Sequence, residues 1–252
     1  MTAGLRERAT QALAVRELVR RLATLLAAAG IEAVLLKGAL LQQAVYDDPA
    51  ERPVNDLDLL VGAADFERVF RVPGSRFVVD LHRELFFPGQ FRLRGREVIA
   101  RARQDTKLFD APLLVPDPYD LYAHLFGHFV LAWLTTRELH HPRDFERVAR
   151  RFQLEARRCA ETLARCGMAR AAHYALPLLG DPFSLEVLQA LPPDPLATPL
   201  ARLVRAIVPR LPANRGVGLL APKLLHRSPS SAARAIAGGA YRRVRRRLRY
   251  SP

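Results

Sequence analysis

Apolar and polar positions alternate along this chain in two different rhythms, and the change between them divides it. Over residues 5–29, Leu13, Leu18, Leu22, Leu25 and Leu26 recur at three-to-four spacing among arginines and glutamates, which predicts an amphipathic helix stopped by Gly30. Ile31–Leu36 is a short apolar run of strand length, broken by Lys37 and Gly38. Residues 39–46 predict a short helix, and Asp47–Pro53 a turn-rich loop. Residues 57–61 and 77–81 predict further strands, with two helical turns over 63–70 between them. Weaker strand signals follow around 91–93 and 113–115.

After Val115 the period becomes helical. Asp117 reads as an N-cap, Pro118 as the first helical residue and Asp120 as an acid in the first turn. Helix is predicted from there to about residue 191, with breaks at Pro142, Gly167 and Gly180. Prolines then crowd residues 192–230, and residues 231–250 predict a closing basic helix. The pattern predicts an α+β fold in three parts. Residues 1–115 form a small mixed sheet with helices, 116–191 a helical domain, and 192–252 a proline-rich linker with a basic helical tail.

Composition adds one asymmetry. The chain has 252 residues and a net charge of +14. From Pro195 onward it holds 12 arginines, one lysine and no acid, whereas residues 1–194 hold 26 basic and 25 acidic residues. A near-neutral body with an intensely basic tail points to a polyanionic partner, either nucleic acid or an anionic membrane surface. Within the last helix Arg242, Arg243, Arg245, Arg246, Arg247 and Arg249 surround a thin stripe of Tyr241, Val244 and Leu248. A solvated tail whose stripe docks on its own domain is the plainer reading of the same pattern. No run approaches the length of a membrane span, and the charged N-terminal stretch lacks the apolar block of a secretory signal. Cys159 and Cys166, seven positions apart in a helical stretch, would lie about 10 Å apart along the axis, too far for a disulfide. Both read as core residues. These features predict a cytoplasmic protein, peripheral to a membrane at most.

The chemistry concentrates in Arg52–Val61. Asp56 and Asp58 alternate with leucines at the start of a strand, so both carboxylates face one side with Cα atoms about 7 Å apart. Such a pair calls for a positive partner, and a hard divalent ion such as Mg²⁺ is the natural one. Asp80 adds a third carboxylate inside another apolar strand. If the strands are neighbours, three carboxylates hold two ions, the arrangement that clamps both oxygens of an in-line phosphoryl displacement. Asp80 would also serve as general base. Lys37 and Gly38 sit where the first strand passes to a helix, a site where free backbone N–H groups and a lysine can receive phosphate. Asn55 reads as a turn cap, Arg52 as either a structural ion-pair partner or a phosphate contact. His124 and His128, one helical turn apart, read as packing residues, because no cysteine pattern or His-Glu-x-x-His motif accompanies them. Asp144 reads as a helix-start acid, and Trp133 with Phe126 and Phe129 as helical core.

The ordered elements Leu35–Ala39, Tyr46–Pro49, Arg52-Pro53, Asp56–Val61 and Val79–His82 resemble the DNA polymerase β-like nucleotidyltransferase superfamily. More closely, they resemble a bacterial family of uncharacterised nucleotidyltransferases, over roughly residues 15–150. The resemblance implies a small mixed sheet followed by a helical domain. It also implies transfer of a nucleoside monophosphate from an NTP such as ATP to an unidentified acceptor, with two Mg²⁺ ions (Mn²⁺ as the alternative) and release of pyrophosphate. Asp56, Asp58 and Asp80 would bind the metal and catalyse, while Lys37, Gly38, Arg52 and Asn55 would hold the nucleotide. Two features depart from the family pattern. Only 21 residues separate Asp58 from Asp80, and Arg83 stands where an aromatic residue is usual. They keep open an alternative: a catalytically degenerate fold acting as an RNA- or anionic-membrane-binding module through its arginine-rich C-terminus.

Overall fold

The computed structural model describes residues 3–66, 78–86, 90–136 and 141–207. Nine helices and five strands occur among them. The helices are α1 (Ala3–Ala28), α2 (Lys37–Ala44), α3 (Gly95–Arg101), α4 (Pro118–Thr136), α5 (Arg143–Phe152), α6 (Ala156–Arg165), α7 (Ala169–Leu179), α8 (Pro182–Gln189) and α9 (Ala197–Ile207). The strands are β1 (Ala33–Leu35), β2 (Asp56–Val61), β3 (Val78–His82), β4 (Arg103–Asp105) and β5 (Leu113–Val115). The fold is α+β. The helix predicted over 63–70 begins as a turn over 63–66 and otherwise falls outside the described residues, as do the basic helix over 231–250 and its six arginines.

The chain divides into two compact units. The first comprises Met1–Leu85 and Arg94–Leu121. Its sheet runs β3-β2-β1-β5-β4 and is mixed: β1 pairs antiparallel with β2 and parallel with β5, β2 parallel with β3, and β4 antiparallel with β5. Val34, Leu35, Leu57, Leu59 and Leu60 are wholly buried, so the central strands carry the core. Helix α1 ends as Gly30 takes a positive φ of 63°. The Ile31 amide then reaches the Leu26 carbonyl and the Gly30 amide that of Ala27, which satisfies carbonyls the helix leaves open. The buried face of α1 is Ala12, Val15, Leu18, Val19, Leu22, Ala23 and Leu26. Leu13 and Leu25, expected on the apolar stripe, are exposed. They sit roughly 140° and 100° around the helix from the centre of that face.

The region 86–115 differs most from expectation. Residues 91–93 form no strand, because the Arg92 amide is spent on the Cys166 carbonyl at 2.9 Å. Instead α3 and β4 form, neither foreshadowed by periodicity. Helix α3 has seven residues, and Arg94 at its start gives no side-chain cap. Its N-terminus is tied down from outside, where the Gly95 amide donates to Glu84 Oε2 at 2.8 Å. Its last turn holds Arg101, which grips the buried Asp120 carboxylate through two hydrogen bonds of 2.8 and 3.0 Å. Strand β4 is polar and largely exposed, held by its ladder to β5 rather than by burial.

The second unit comprises Phe86–Leu93 with the described residues from Tyr122 onward. It is helical, and the predicted breaks at Pro142, Gly167 and Gly180 fall between helices, Gly167 and Gly180 with positive φ. A further break, at Gln153, comes from a left-handed non-glycine residue that no turn signal announced. Helix α9 forms inside the proline-rich stretch. Phe126, Phe129, Phe145 and Tyr174 are buried, and Trp133 Nε1 donates to Tyr174 Oη at 2.8 Å, which places Trp133 at the edge of this core. Cys159 and Cys166 are free and buried; burial pushes the Cys159 thiol up to about 12. His124 is buried, its ring 5.8 Å from that of Phe86 and 5.2 Å from that of His128, as packing histidines would be. Asp144 lies in the first turn of α5, and is buried.

Among the described glycines of the first unit, Gly95 marks the tightest backbone approach. A Cβ there would stand 2.3 Å from the Arg83 carbonyl oxygen and 3.0 Å from a Leu60 methyl group. Gly95→Ala is therefore expected to destabilise the protein by about 1–3 kcal/mol, because backbone, not a flexible side chain, must yield. Urea unfolding of wild type and variant measures it.

Candidate active site

Three features of the chain converge at one end of β1 and β2. First, the turn after α2 is built to deliver β2. Asp48 Oδ1 caps a single 3₁₀ turn over Pro49–Glu51 by accepting from the Ala50 amide. Buried Gln42 donates to the Arg52 carbonyl at 2.7 Å, and Gln11 to the Val54 carbonyl at 2.9 Å. These bonds hold residues 52–54, and so fix where Asp56 begins the strand. Second, the Leu36 amide donates to the Asp58 carbonyl at 3.0 Å, which carries the β1–β2 pairing one residue further and sets Lys37 beside Asp58. Third, the β2–β3 register pairs Asp58 with Asp80 and Leu60 with His82. Since side chains two apart share a strand face, Asp56, Asp58, Asp80 and His82 all belong to one face.

The short spacing between Asp58 and Asp80 thus does not separate them: they are direct cross-strand partners. One carboxylate oxygen from each of Asp56, Asp58 and Asp80 falls within 4.8 Å of the others. Asp56 and Asp80 are exposed, whereas Asp58 is only 4% exposed. Three close oxygen donors are the chemistry of a hard divalent cation, and this set fits Mg²⁺ or Mn²⁺.

Asp58 also has two nitrogen-bearing neighbours, one from a lysine and one from a histidine. Lys37 Nζ lies 3.3 Å from Oδ2, and His82 Nε2 lies 2.8 Å from Oδ1. Burial alone would raise the Asp58 carboxyl. The His82 hydrogen bond and the Lys37 charge outweigh it and bring the group down to about 2. Asp56 shifts the other way. Partial loss of solvation raises it, the negative charges of Asp58 and Asp80 add to that, and Lys37 opposes. Two carboxylates on one strand therefore differ in proton affinity because one is paired, while the other is partly desolvated and set among like charges.

The remaining predicted residues are placed as follows. Gly38 is the second residue of α2, and a Cβ there would meet Val54 and the Asp56 carbonyl at ordinary contact distances of 3.6–3.9 Å. Leu36, at the N-cap, makes no side-chain cap, so the first-turn N–H groups of α2 have no partner from that residue. Arg52 is buried, and its guanidinium donates to the Pro53 carbonyl at 3.0 Å. Asn55 is an exposed residue immediately before β2. The structure thus brings together Lys37, Asp56, Asp58 and Asp80, while Arg52 braces the approach to β2. His82 is the site residue that the sequence reading left without a role, although its position two beyond Asp80 on one strand was the available signal. Arg83, next to it, stacks its guanidinium over the Phe66 ring at 5.1 Å.

A family model described as uncharacterised nucleotidyltransferase matches residues 1–73. The matched stretch contains Lys37, Gly38, Arg52, Asn55, Asp56 and Asp58, and stops before Asp80 and His82. No curated protein and no solved structure matches the chain. The match and the carboxylate face together support a nucleotidyltransferase, a class that takes an NTP and generally uses divalent metal. Among the described residues no helix is long and apolar enough to cross a membrane.

The Lys37–Asp58 pair is partly shielded, with side-chain exposures of 22% and 4%, so it should couple measurably. A double-mutant cycle of Lys37→Met and Asp58→Asn in metal-free buffer is expected to give a coupling energy of about 1 kcal/mol. A solvent-screened pair would give a value near zero.

Proposed function

We propose that this protein is a Mg²⁺-dependent nucleotidyltransferase of the DNA polymerase β-like superfamily, transferring a nucleoside monophosphate from an NTP to an acceptor hydroxyl or phosphate. The observation that carries the reading is the convergence of three carboxylate oxygens within 4.8 Å on adjoining strands, in a chain whose first 73 residues match a nucleotidyltransferase family. Asp56, Asp58 and Asp80 would hold two divalent ions, Mg²⁺ or Mn²⁺. Such ions, when bound, neutralise charge on the attacking and leaving oxygens of an in-line displacement. Asp80, exposed and opposite Asp58, takes the proton of an acceptor hydroxyl. The acceptor oxygen forms its bond to the α-phosphorus as the bond to pyrophosphate breaks, and pyrophosphate leaves with the electron pair. Lys37 and the first-turn N–H groups of α2, including that of Gly38, receive the triphosphate. Arg52 supports this end of the site by bracing the chain before β2, and Asn55 stands at its exposed rim.

Label transfer tests the reading. With α-³²P-labelled NTPs, Mg²⁺ and a cell extract, wild-type protein is expected to label an acceptor. Asp56→Ala and Asp58→Ala are expected to abolish labelling while far-UV circular dichroism stays unchanged. Labelling that persists in either folded variant refutes the assignment.

The charge distribution supports a second reading of the C-terminus, as a polyanion-binding arm of a cytoplasmic protein. Twelve arginines and one lysine with no acid from Pro195 onward would meet the phosphates of RNA or of an anionic membrane surface, whether or not the carboxylate site is active. Binding to RNA or to anionic vesicles is expected to weaken steeply between 50 and 200 mM salt and to survive Asp56→Ala. Removal of Arg242, Arg243, Arg245, Arg246, Arg247 and Arg249 together should eliminate it. Equal binding by that variant refutes the arm.

A further inference from the structure

The two oxygens of Asp58 are engaged by unlike groups. Oδ2 meets Lys37 Nζ at 3.3 Å, a compact charge on a flexible four-carbon stem that can let go and find water or phosphate instead. Oδ1 meets His82 Nε2 at 2.8 Å, a ring nitrogen on a short side chain with two torsions. An ionised carboxylate can only accept, so Nε2 carries the proton and donates. The backbone fixes this donor. His82 ends β3 opposite Leu60, two residues past the Asp80 that pairs with Asp58 itself, so the imidazole reaches Asp58 diagonally across the parallel ladder. Asp58 is 4% exposed, which leaves water little share in orienting it.

We infer that His82 is the positioning residue of Asp58: by donating from Nε2 to Oδ1 it fixes the rotation of the carboxylate and leaves Oδ2 for a divalent cation. The inference rests on the metal-centre reading above. It gives His82 no contact with metal or nucleotide. Donors that orient a ligating carboxylate in this way typically change metal affinity 10- to 100-fold when removed.

Mn²⁺ titration, followed by the electron paramagnetic resonance signal of free Mn²⁺, tests this without an acceptor or turnover. Wild type is expected to bind Mn²⁺, and His82→Leu to bind it about 10- to 100-fold more weakly. His82→Gln, whose amide nitrogen reaches the place of Nε2, is expected to recover affinity to within about threefold of wild type. If His82→Leu does not fold, His82→Asn replaces it, because its shorter amide stops before Oδ1; the same loss is expected. Wild-type affinity in the folded Leu or Asn variant overturns the role of His82 while leaving the metal centre standing. A Gln variant as weak as the Leu variant overturns the hydrogen bond as the cause. Failure of wild type itself to bind Mn²⁺ overturns the metal centre, and the role of His82 with it.

Discussion

A carboxylate buried in the middle of an apolar strand is the constraint around which the first unit is organised. Asp58 lies between Leu57 and Leu59, both buried, in a strand that pairs on both edges. An unpaired charge in that position would cost several kcal/mol. Two cationic or hydrogen-bonding groups prevent this, and each comes from a different neighbouring segment. Lys37 arrives from the start of α2 by way of the β1–β2 pairing, and His82 from β3 by way of the β2–β3 pairing. A shift of β3 by one residue would turn Asp80 and His82 to the opposite face and leave Asp58 without the imidazole. The register of β3 and the ionisation of Asp58 are thus mutually dependent.

The loop before β2 serves the same end. The capped 3₁₀ turn, the Gln42 and Gln11 side chains on the carbonyls of residues 52 and 54, and the guanidinium of Arg52 on Pro53 all hold backbone. The elements Tyr46–Pro49 and Arg52-Pro53 that accompany the carboxylates therefore have a mechanical explanation, since they aim the strand on which Asp56 and Asp58 ride. Of the bracing residues Gln42 and Arg52 are buried, whereas Asp56 and Asp80 are exposed.

Lys37 has two partners open to it in this scheme. In the structure it neutralises Asp58, and in the proposed reaction it would neutralise triphosphate. Both follow from one fact, that a mobile ammonium is held at the boundary of a carboxylate cluster, where either kind of anion can claim it. His82 has less such freedom, because its ring rides on a shorter side chain with two torsions rather than on a four-carbon stem.

How much of this was legible beforehand depended on how local the cause was. The alternation of Asp56 and Asp58 with leucines, the capping Asp117 with Pro118, and Gly30 after an amphipathic run are each decided within a few residues, so the sequence by itself determined β2, the start of α4 and the end of α1. Within residues 86–115 the strand at 113–115 was legible, but α3 and β4 were not, because they are held by partners outside themselves: Glu84 at one end of α3, Asp120 at the other, and β5 along β4. The carboxylate types were visible in the chain, but their meeting was not. Only the β2–β3 register set Asp58 opposite Asp80 and brought His82 within 2.8 Å, because strand pairing relates residues by hydrogen-bonded geometry and not by their separation along the chain.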